Sequence, residues 1–149
     1  HNGSVWPHDN AICVAGLMRY GFDDAAHRVM EGIVRAAAWF GNRLPELFAG
    51  LERSEFSFPV GYPASCSPQA WAAATPLLFL RSMLHFEPDV RDERLHLQPD
   101  VPAWIGRLRL ERVPLMGGNL SIEVVGNECT VLEVPDGLTI VSERRRPVI

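Results

Sequence analysis

The organisation of the chain depends on residues 43–71, which read RLPELFAGLERSEFSFPVGYPASCSPQAW. This stretch lies between two segments with strongly helical patterns, and loops of more than about a dozen residues inside a compact domain are usually functional or disordered. It contains several large aromatic side chains, which argue against disorder. These are Phe48, Phe56, Phe58, Tyr62 and Trp71. We therefore expect a long, ordered loop that carries function.

The composition is typical of a globular protein. The 149 residues are 47% hydrophobic and 21% charged, which suits one ordinary domain, or one and a half small ones, with a buried core. The formal net charge of −4 argues against a nucleic-acid partner or an anionic membrane surface. Cys13, Cys66 and Cys129 are widely separated, which predicts buried free thiols in a reducing compartment and so a cytoplasmic location. No apolar run is long enough to predict a membrane span.

Two helices are predicted before the long loop. The first covers residues 10–20, with Asp9 or Asn10 as its N-cap and Gly21 directly after its end. The second covers residues 23–40; acidic residues open it and its apolar positions recur at a spacing of three and four. The first of these helices is apolar on nearly every side, so it should be buried from more than one direction.

A third helix is predicted over residues 67–86, directly after the loop. Ser67 is the expected N-cap, Pro68 the first helical residue, and Pro76 an internal kink. This helix is also apolar almost all round. Helices that are apolar on several sides cannot bury all of this surface against one another. We therefore expect a missing partner, which is either an upstream part of the same protein or a second copy of the chain.

Beyond residue 88 the pattern changes to alternation with a period of two, which is typical of strands. Turn signals separate the alternating segments, the strongest being Asp136-Gly137. The sequence therefore predicts a helical domain over residues 1–88 and an antiparallel β module over residues 89–149. About five strands are expected, at residues 94–99, 105–113, 120–126, 129–134 and 138–143.

Three motifs resemble the C-terminal part of the amylo-α-1,6-glucosidases, the glycogen-debranching-like members of the (α/α)6-barrel glycoside hydrolases. They are HNGSVWPHDN at residues 1–10, RLPELFAG at residues 43–50 and PASCSPQAW at residues 63–71. In addition, LHLQPDVPAWIGRLRL at residues 95–110 resembles the beginning of that family's C-terminal β module. More distantly, the first motif is similar to the RGPVWPxxN loop of mannosylglycerate hydrolase and processing α-glucosidase I.

The resemblance implies an α+β fold in which three helices of an (α/α)6-type barrel precede a small antiparallel β module. It also implies a hydrolase that acts on α-glucosidic bonds in carbohydrate metabolism, without a cofactor, by a two-carboxylate inverting mechanism. The chain opens inside a loop motif rather than at a methionine. We therefore expect it to be the C-terminal part of a longer enzyme, and expect the isolated chain to be inactive.

Inverting hydrolysis requires a general acid and a general base, with carboxyl groups about 6.5–9.5 Å apart. Glu46 is the candidate base, because it lies in a proline-stiffened loop and matches the base-carrying loop of the resembling family; the alternative is a solvated loop acid. Glu52 and Glu55 are possible substitutes. The resemblance implies that the acid lies upstream of His1. Asp9 is the local alternative, although the N-cap role explains it more simply.

The candidate substrate-binding residues fall into two chemical groups. Aromatic side chains can stack against the apolar C–H face of a sugar ring. A role as an anchor in the hydrophobic core explains each of the two tryptophans about equally well. Polar side chains bond to sugar hydroxyls, and Arg43 positions or pairs with Glu46. The set comprises Trp6, His8, Asp9, Asn10, Arg43, Gln69 and Trp71.

The expected partner is an α-glucan or a small glucoside. No metal site is predicted, because His1 and His8 have no third ligand at a convincing spacing. Cys66 is expected to be structural rather than a nucleophile. A basic tail at residues 144–146 is interpreted as a solvated end. The alternative to an enzyme is a non-catalytic carbohydrate-binding or structural module that associates with copies of itself.

Overall fold

The computed structural model of the protein describes residues 3–144. The fold class is α+β, as predicted, with three helices and eight strands among the described residues. The chain divides into two compact units, residues 1–80 and residues 81–149. The predicted boundary, between residues 88 and 89, lies a short distance after the one that separates these units.

The first unit begins with two helices that pack against each other, α1 (Pro7–Arg19) and α2 (Asp23–Trp39). Each helix buries apolar residues at a spacing of three and four. The buried residues are Pro7, Ala11, Val14 and Met18 of α1 and Ala26, Met30, Ile33 and Ala36 of α2. Gly21 has a φ of 82°, the left-handed conformation that glycine supplies at low cost after a helix end.

The first helix starts earlier than predicted. Pro7 occupies a first-turn position, where a missing backbone N–H costs nothing, and Trp6 is the N-cap residue without a side-chain cap. The predicted N-cap role of Asp9 or Asn10 is therefore wrong: Asp9 lies in the first turn, and Asn10 lies inside the helix. The second helix, by contrast, begins at Asp23 as predicted.

The third helix, α3 (Ala70–Met83), starts later than predicted. The N-cap role expected for Ser67 falls instead to Gln69, whose Oε1 accepts a hydrogen bond from the Ala72 N–H at 2.9 Å. Pro68 therefore precedes the helix, and Pro76 lies inside it.

A short ribbon joins the beginning of the described chain to the long loop. It pairs β1 (Ser4–Val5) with β2 (Phe48–Ala49) in antiparallel register, with Val5 opposite Phe48. The Gly50 N–H extends the ribbon by donating to the Gly3 carbonyl at 2.8 Å. The sequence did not predict these two strands.

The second unit contains two three-stranded sheets. The strands are β3 (Glu87–Asp89), β4 (Arg94–His96), β5 (Arg107–Leu115), β6 (Gly118–Val125), β7 (Glu128–Glu133) and β8 (Thr139–Val141). One sheet has the order β3-β4-β8 and the other the order β5-β6-β7. The antiparallel prediction fails for one pair, because β4 and β8 are parallel.

The predicted alternation is clearest in the central strand β6. Leu120, Ile122 and Val124 are all fully buried, as expected for one face of a strand with a period of two. In the sheet β3-β4-β8, Leu95 is buried.

A basic tail was predicted at residues 144–146. Arg144 is described, and its side chain lies 3.3 Å from an Asp100 oxygen; the other two residues lie outside the described range.

Large apolar side chains remain exposed on all three helices, including Trp39 of α2 at 64%. Ile12 of α1 is 63% exposed, and Trp71 and Leu77 of α3 are 64% and 68% exposed. This exposure is the pattern from which a missing partner was expected, and the partner itself stays a prediction. No helix in the described range has the length and apolarity needed to cross a membrane.

Candidate active site

The three sequence motifs that are far apart in the chain come together in the first unit. The β1–β2 ribbon places the first motif beside the second. Glu46 joins the second motif to the third, because its backbone N–H donates to the Cys66 carbonyl at 2.9 Å. A ring contact between His8 and Trp71, with centroids 4.8 Å apart, joins the third motif to the first. One local region thus contains residues from all three motifs.

An aromatic cluster forms one part of this region. The His8 ring contacts Trp6 at 5.5 Å and Trp71 at 4.8 Å between centroids, both in edge-to-face geometry. His8 Nε2 lies 3.1 Å from Asp9 Oδ1, and its buried Nδ1 has no hydrogen-bond partner among the described residues. Trp71 remains 64% exposed, so it offers an aromatic surface that a sugar ring can cover.

Glu46 is held in place from both its backbone and its side chain. Leu44 and Pro45 before it are buried, as is Phe48 after it. In addition to the backbone bond, Glu46 Oε2 accepts a hydrogen bond from the Cys66 N–H at 3.1 Å. One carboxylate oxygen is therefore fixed, and Oε1 is left for a water molecule or a substrate hydroxyl.

The remaining predicted site residues have local roles or lie apart. Asn10 Nδ2 donates to the Trp6 carbonyl at 2.8 Å, which supports the start of α1. Arg43 is exposed and makes no ion pair with Glu46 within residues 3–144. Gln69 caps α3 and so fixes the helix turn that carries Trp71.

We expect Gln69→Ala to lower the free energy of unfolding by about 1 kcal/mol, the usual cost of losing a helix N-cap. The lost interaction is the bond from the Ala72 N–H. Urea unfolding measures the change. Gln98→Ala is the matched control, because Gln98 is an exposed glutamine that lies outside the helices; an equal effect of the two substitutions would contradict the capping role.

Sequence reasoning missed two contributors to the region. The Ser4 hydroxyl donates to Tyr62 Oη at 3.2 Å, and the Cys66 backbone holds the Glu46 carboxylate. In the sequence, Tyr62 was noted only as an aromatic residue of the long loop and Cys66 only as a structural thiol. A backbone donor leaves no signal in the sequence, because any residue other than proline supplies one.

A cavity of about 580 Å³ lies elsewhere in the first unit, between α2 and the loop at residues 48–59. Neither Glu46 nor His8 nor Trp71 lines it. Its lining includes Trp39, Phe58 and Arg53, together with Val5 and Asn10 of the first motif and Phe48, Ala49 and Gly50 of the second. The cavity therefore adjoins the converging motifs but does not include the side chains of Glu46, His8 and Trp71. The sequence did not predict the cavity.

The cysteines and potential metal ligands indicate no further centre. Cys13, Cys66 and Cys129 are free, but Cys13 and Cys66 are exposed and Cys129 is half-buried, so the prediction of buried thiols is wrong for the first two. Burial raises the pKa of the Cys129 thiol, which favours its unreactive form. Within the described range, no group of three or more histidine, cysteine, aspartate or glutamate side chains is arranged to hold a metal ion. Comparisons of the chain with protein-family models and with curated proteins found no match.

Proposed function

We propose that this chain is the C-terminal part of a glycoside hydrolase that acts on α-glucosidic bonds, similar to the glycogen-debranching enzymes. The observation that carries the proposal is the convergence of the three motifs through the β1–β2 ribbon, the Glu46–Cys66 bonds and the His8–Trp71 contact. A packing role alone does not require residues of a sugar-site type to meet at one place.

In this proposal Glu46 is the general base of an inverting reaction. The Cys66 N–H holds Oε2, and the free Oε1 takes a proton from the water that attacks the anomeric carbon. A general acid must protonate the leaving oxygen from about 6.5–9.5 Å away. Asp9 is engaged beside His8, so we assign the acid to a segment outside this sequence.

The proposed substrate is an α-glucan or a small glucoside. Trp71 is suited to stack against a pyranose ring, and the polar groups beside it, on His8 and Asp9, are suited to bond with hydroxyls. No cofactor takes part in this chemistry. The three free thiols support a reducing location, and we propose the cytoplasm.

The stereochemistry of the first product tests the proposal. The full enzyme is expected to release β-glucose from an oligosaccharide with an α-1,6-linked glucose, and ¹H NMR observes this anomer before mutarotation. The isolated 149-residue chain, assayed in parallel, is expected to give no product. Release of α-glucose first would contradict the inverting mechanism, and no hydrolysis of α-glucosides by the full enzyme would contradict the function.

One observation favours a second candidate, a non-catalytic carbohydrate-binding or structural module. The Glu46 carboxylate has a structural partner in the Cys66 N–H, which is a sufficient reason for its position in the loop. Under this alternative, the exposed Trp71 binds sugar without hydrolysis. Full activity of an enzyme that carries Glu46→Ala would support the alternative.

A further inference from the structure

The cavity between α2 and the loop at residues 48–59 has the dimensions of a ligand site. Its volume of about 580 Å³ falls within the range of about 300–1,000 Å³ that small-molecule sites occupy. Aromatic side chains from both sides contribute to the lining, namely Trp39 from α2 and Phe48, Phe56 and Phe58 from the loop. Glu46 does not line the cavity, so this site differs from the proposed hydrolytic centre, although Asn10 and Phe48 of the converging motifs contribute to its lining.

Two of the aromatic side chains offer accessible ring faces. The Trp39 and Phe58 centroids lie 6.0 Å apart with an angle of 40° between the ring planes, and the side chains are 64% and 52% exposed. A ligand with an apolar ring face removes this surface from water. Ser57 and Asn10 also line the cavity and supply partners for hydroxyl groups.

The charged groups that line the cavity are all cationic. Among the described residues, they are Arg35 and Arg53, and none of the described lining residues is a carboxylate, although the chain as a whole carries a net charge of −4. Glu31 already pairs with Arg35 at 2.5 Å, whereas Arg53 makes no ion pair with a described residue. The cavity thus has one uncompensated guanidinium.

Gly32 of α2 leaves space for this guanidinium beside the helix. A Cβ atom placed at Gly32 would lie 3.8 Å from Arg53 Nη2, and no other described atom outside the local helix backbone would be within 4 Å. Arg53 therefore lies over a part of the helix that has no side chain, where a ligand anion can approach it. Guanidinium groups bind phosphate and carboxylate through two parallel hydrogen bonds.

We propose that this cavity binds an anionic sugar, a pyranose with one phosphate or carboxylate group. The anion lies at Arg53, and the ring lies against Trp39 and Phe58. This ligand differs from the neutral glucan of the proposed hydrolytic site. The proposal does not depend on Glu46.

Isothermal titration calorimetry of the 149-residue chain tests the proposal with glucose 1-phosphate, glucuronate, glucose and inorganic phosphate as probes. We expect at least one anionic sugar to bind at least about tenfold more tightly than glucose or phosphate alone, and to bind less tightly as salt concentration rises. Comparison of the two anionic sugars identifies the anion. Two results would overturn the proposal. In the first, glucose or inorganic phosphate binds as tightly as both anionic sugars; in the second, neither anionic sugar binds.

Substitutions then assign the site. We expect Arg53→Gln to weaken binding of the anionic sugar about five- to tenfold and Trp39→Ala to weaken it by a similar factor. Both side chains are exposed, so the fold should be retained, which circular dichroism checks.

Arg91→Gln and Trp104→Ala are matched controls at exposed positions outside the cavity. Unchanged binding by Arg53→Gln, or equal losses in the controls, would overturn the proposal. Glu46→Gln is expected to bind the anionic sugar normally, which separates this site from the hydrolytic one.

Discussion

The substitution Glu46→Gln in the full enzyme is expected to lower kcat by about 10²–10⁴-fold, the usual contribution of a positioned general base. Glutamine cannot take a proton from the attacking water. It does retain an oxygen that can accept the hydrogen bond that the Cys66 N–H donates to Oε2 at 3.1 Å. The loop should therefore keep its structure while the chemistry is lost. Initial rates with an α-glucoside measure the effect, and KM should change little.

Two further variants separate the chemical role of Glu46 from its structural role. Glu55→Gln is the matched control, because Glu55 is an exposed acid in the same loop, and its activity should be unchanged. Glu46→Ala removes both the proton acceptor and the bond to Cys66, so it should also lower stability. If Glu46→Gln retains the kcat of the unsubstituted enzyme, Glu46 has only a structural role in the loop, and the catalytic proposal is wrong.

The second large effect is expected for Gly50→Ala, which should lower the free energy of unfolding by about 2–3 kcal/mol. An added Cβ would lie 2.3 Å from the Gly3 carbonyl oxygen, closer than two such atoms can approach. Because the obstacle is backbone, the β1–β2 ribbon must separate. The bond from the Gly50 N–H to Gly3, now 2.8 Å long, would be lost with it. Urea unfolding measures the change in stability. Hydrogen exchange at the Gly50 amide shows whether the β1–β2 ribbon is still paired.

Gly61→Ala provides the matched control, since Gly61 belongs to the same loop and is bridged to Phe48. A Cβ at this position would meet only Phe40 Cε1 at 3.5 Å, an ordinary van der Waals distance. Its effect should stay within about 0.5 kcal/mol. Equal destabilisation by the two substitutions would show that the approach of Gly50 to Gly3 has no special importance.

Local sequence signals predicted most of the regular elements. The spacing in α2 and the alternation in β6 each reflect one buried face, which is why Ile33 and Ile122 are buried as expected. The β1–β2 ribbon had no such signal, because two-residue strands are too short to show a period. The parallel pairing of Leu95 with Ile140 was also missed, since partners far apart in the chain leave no local pattern.

The candidate site was predicted unevenly for a related reason. The motifs named Trp6, His8, Trp71 and Glu46, but side-chain type alone did not show which of these residues meet. The role of Gln69 was assigned to the substrate, whereas its oxygen caps α3. A helix cap and a sugar ligand use the same amide group, so only the local backbone geometry distinguishes them.

The β1–β2 ribbon also has a consequence for the order in which the first unit folds. Its strands are separated by two helices and the start of the long loop, so pairing them from an unfolded chain carries a large loop-closure entropy. Prior docking of α1 against α2 brings the ends of this segment together and reduces that cost. We infer that the helical hairpin forms first and the ribbon closes late. The residues around Glu46 and His8 would then reach their final arrangement only in the last stage of folding.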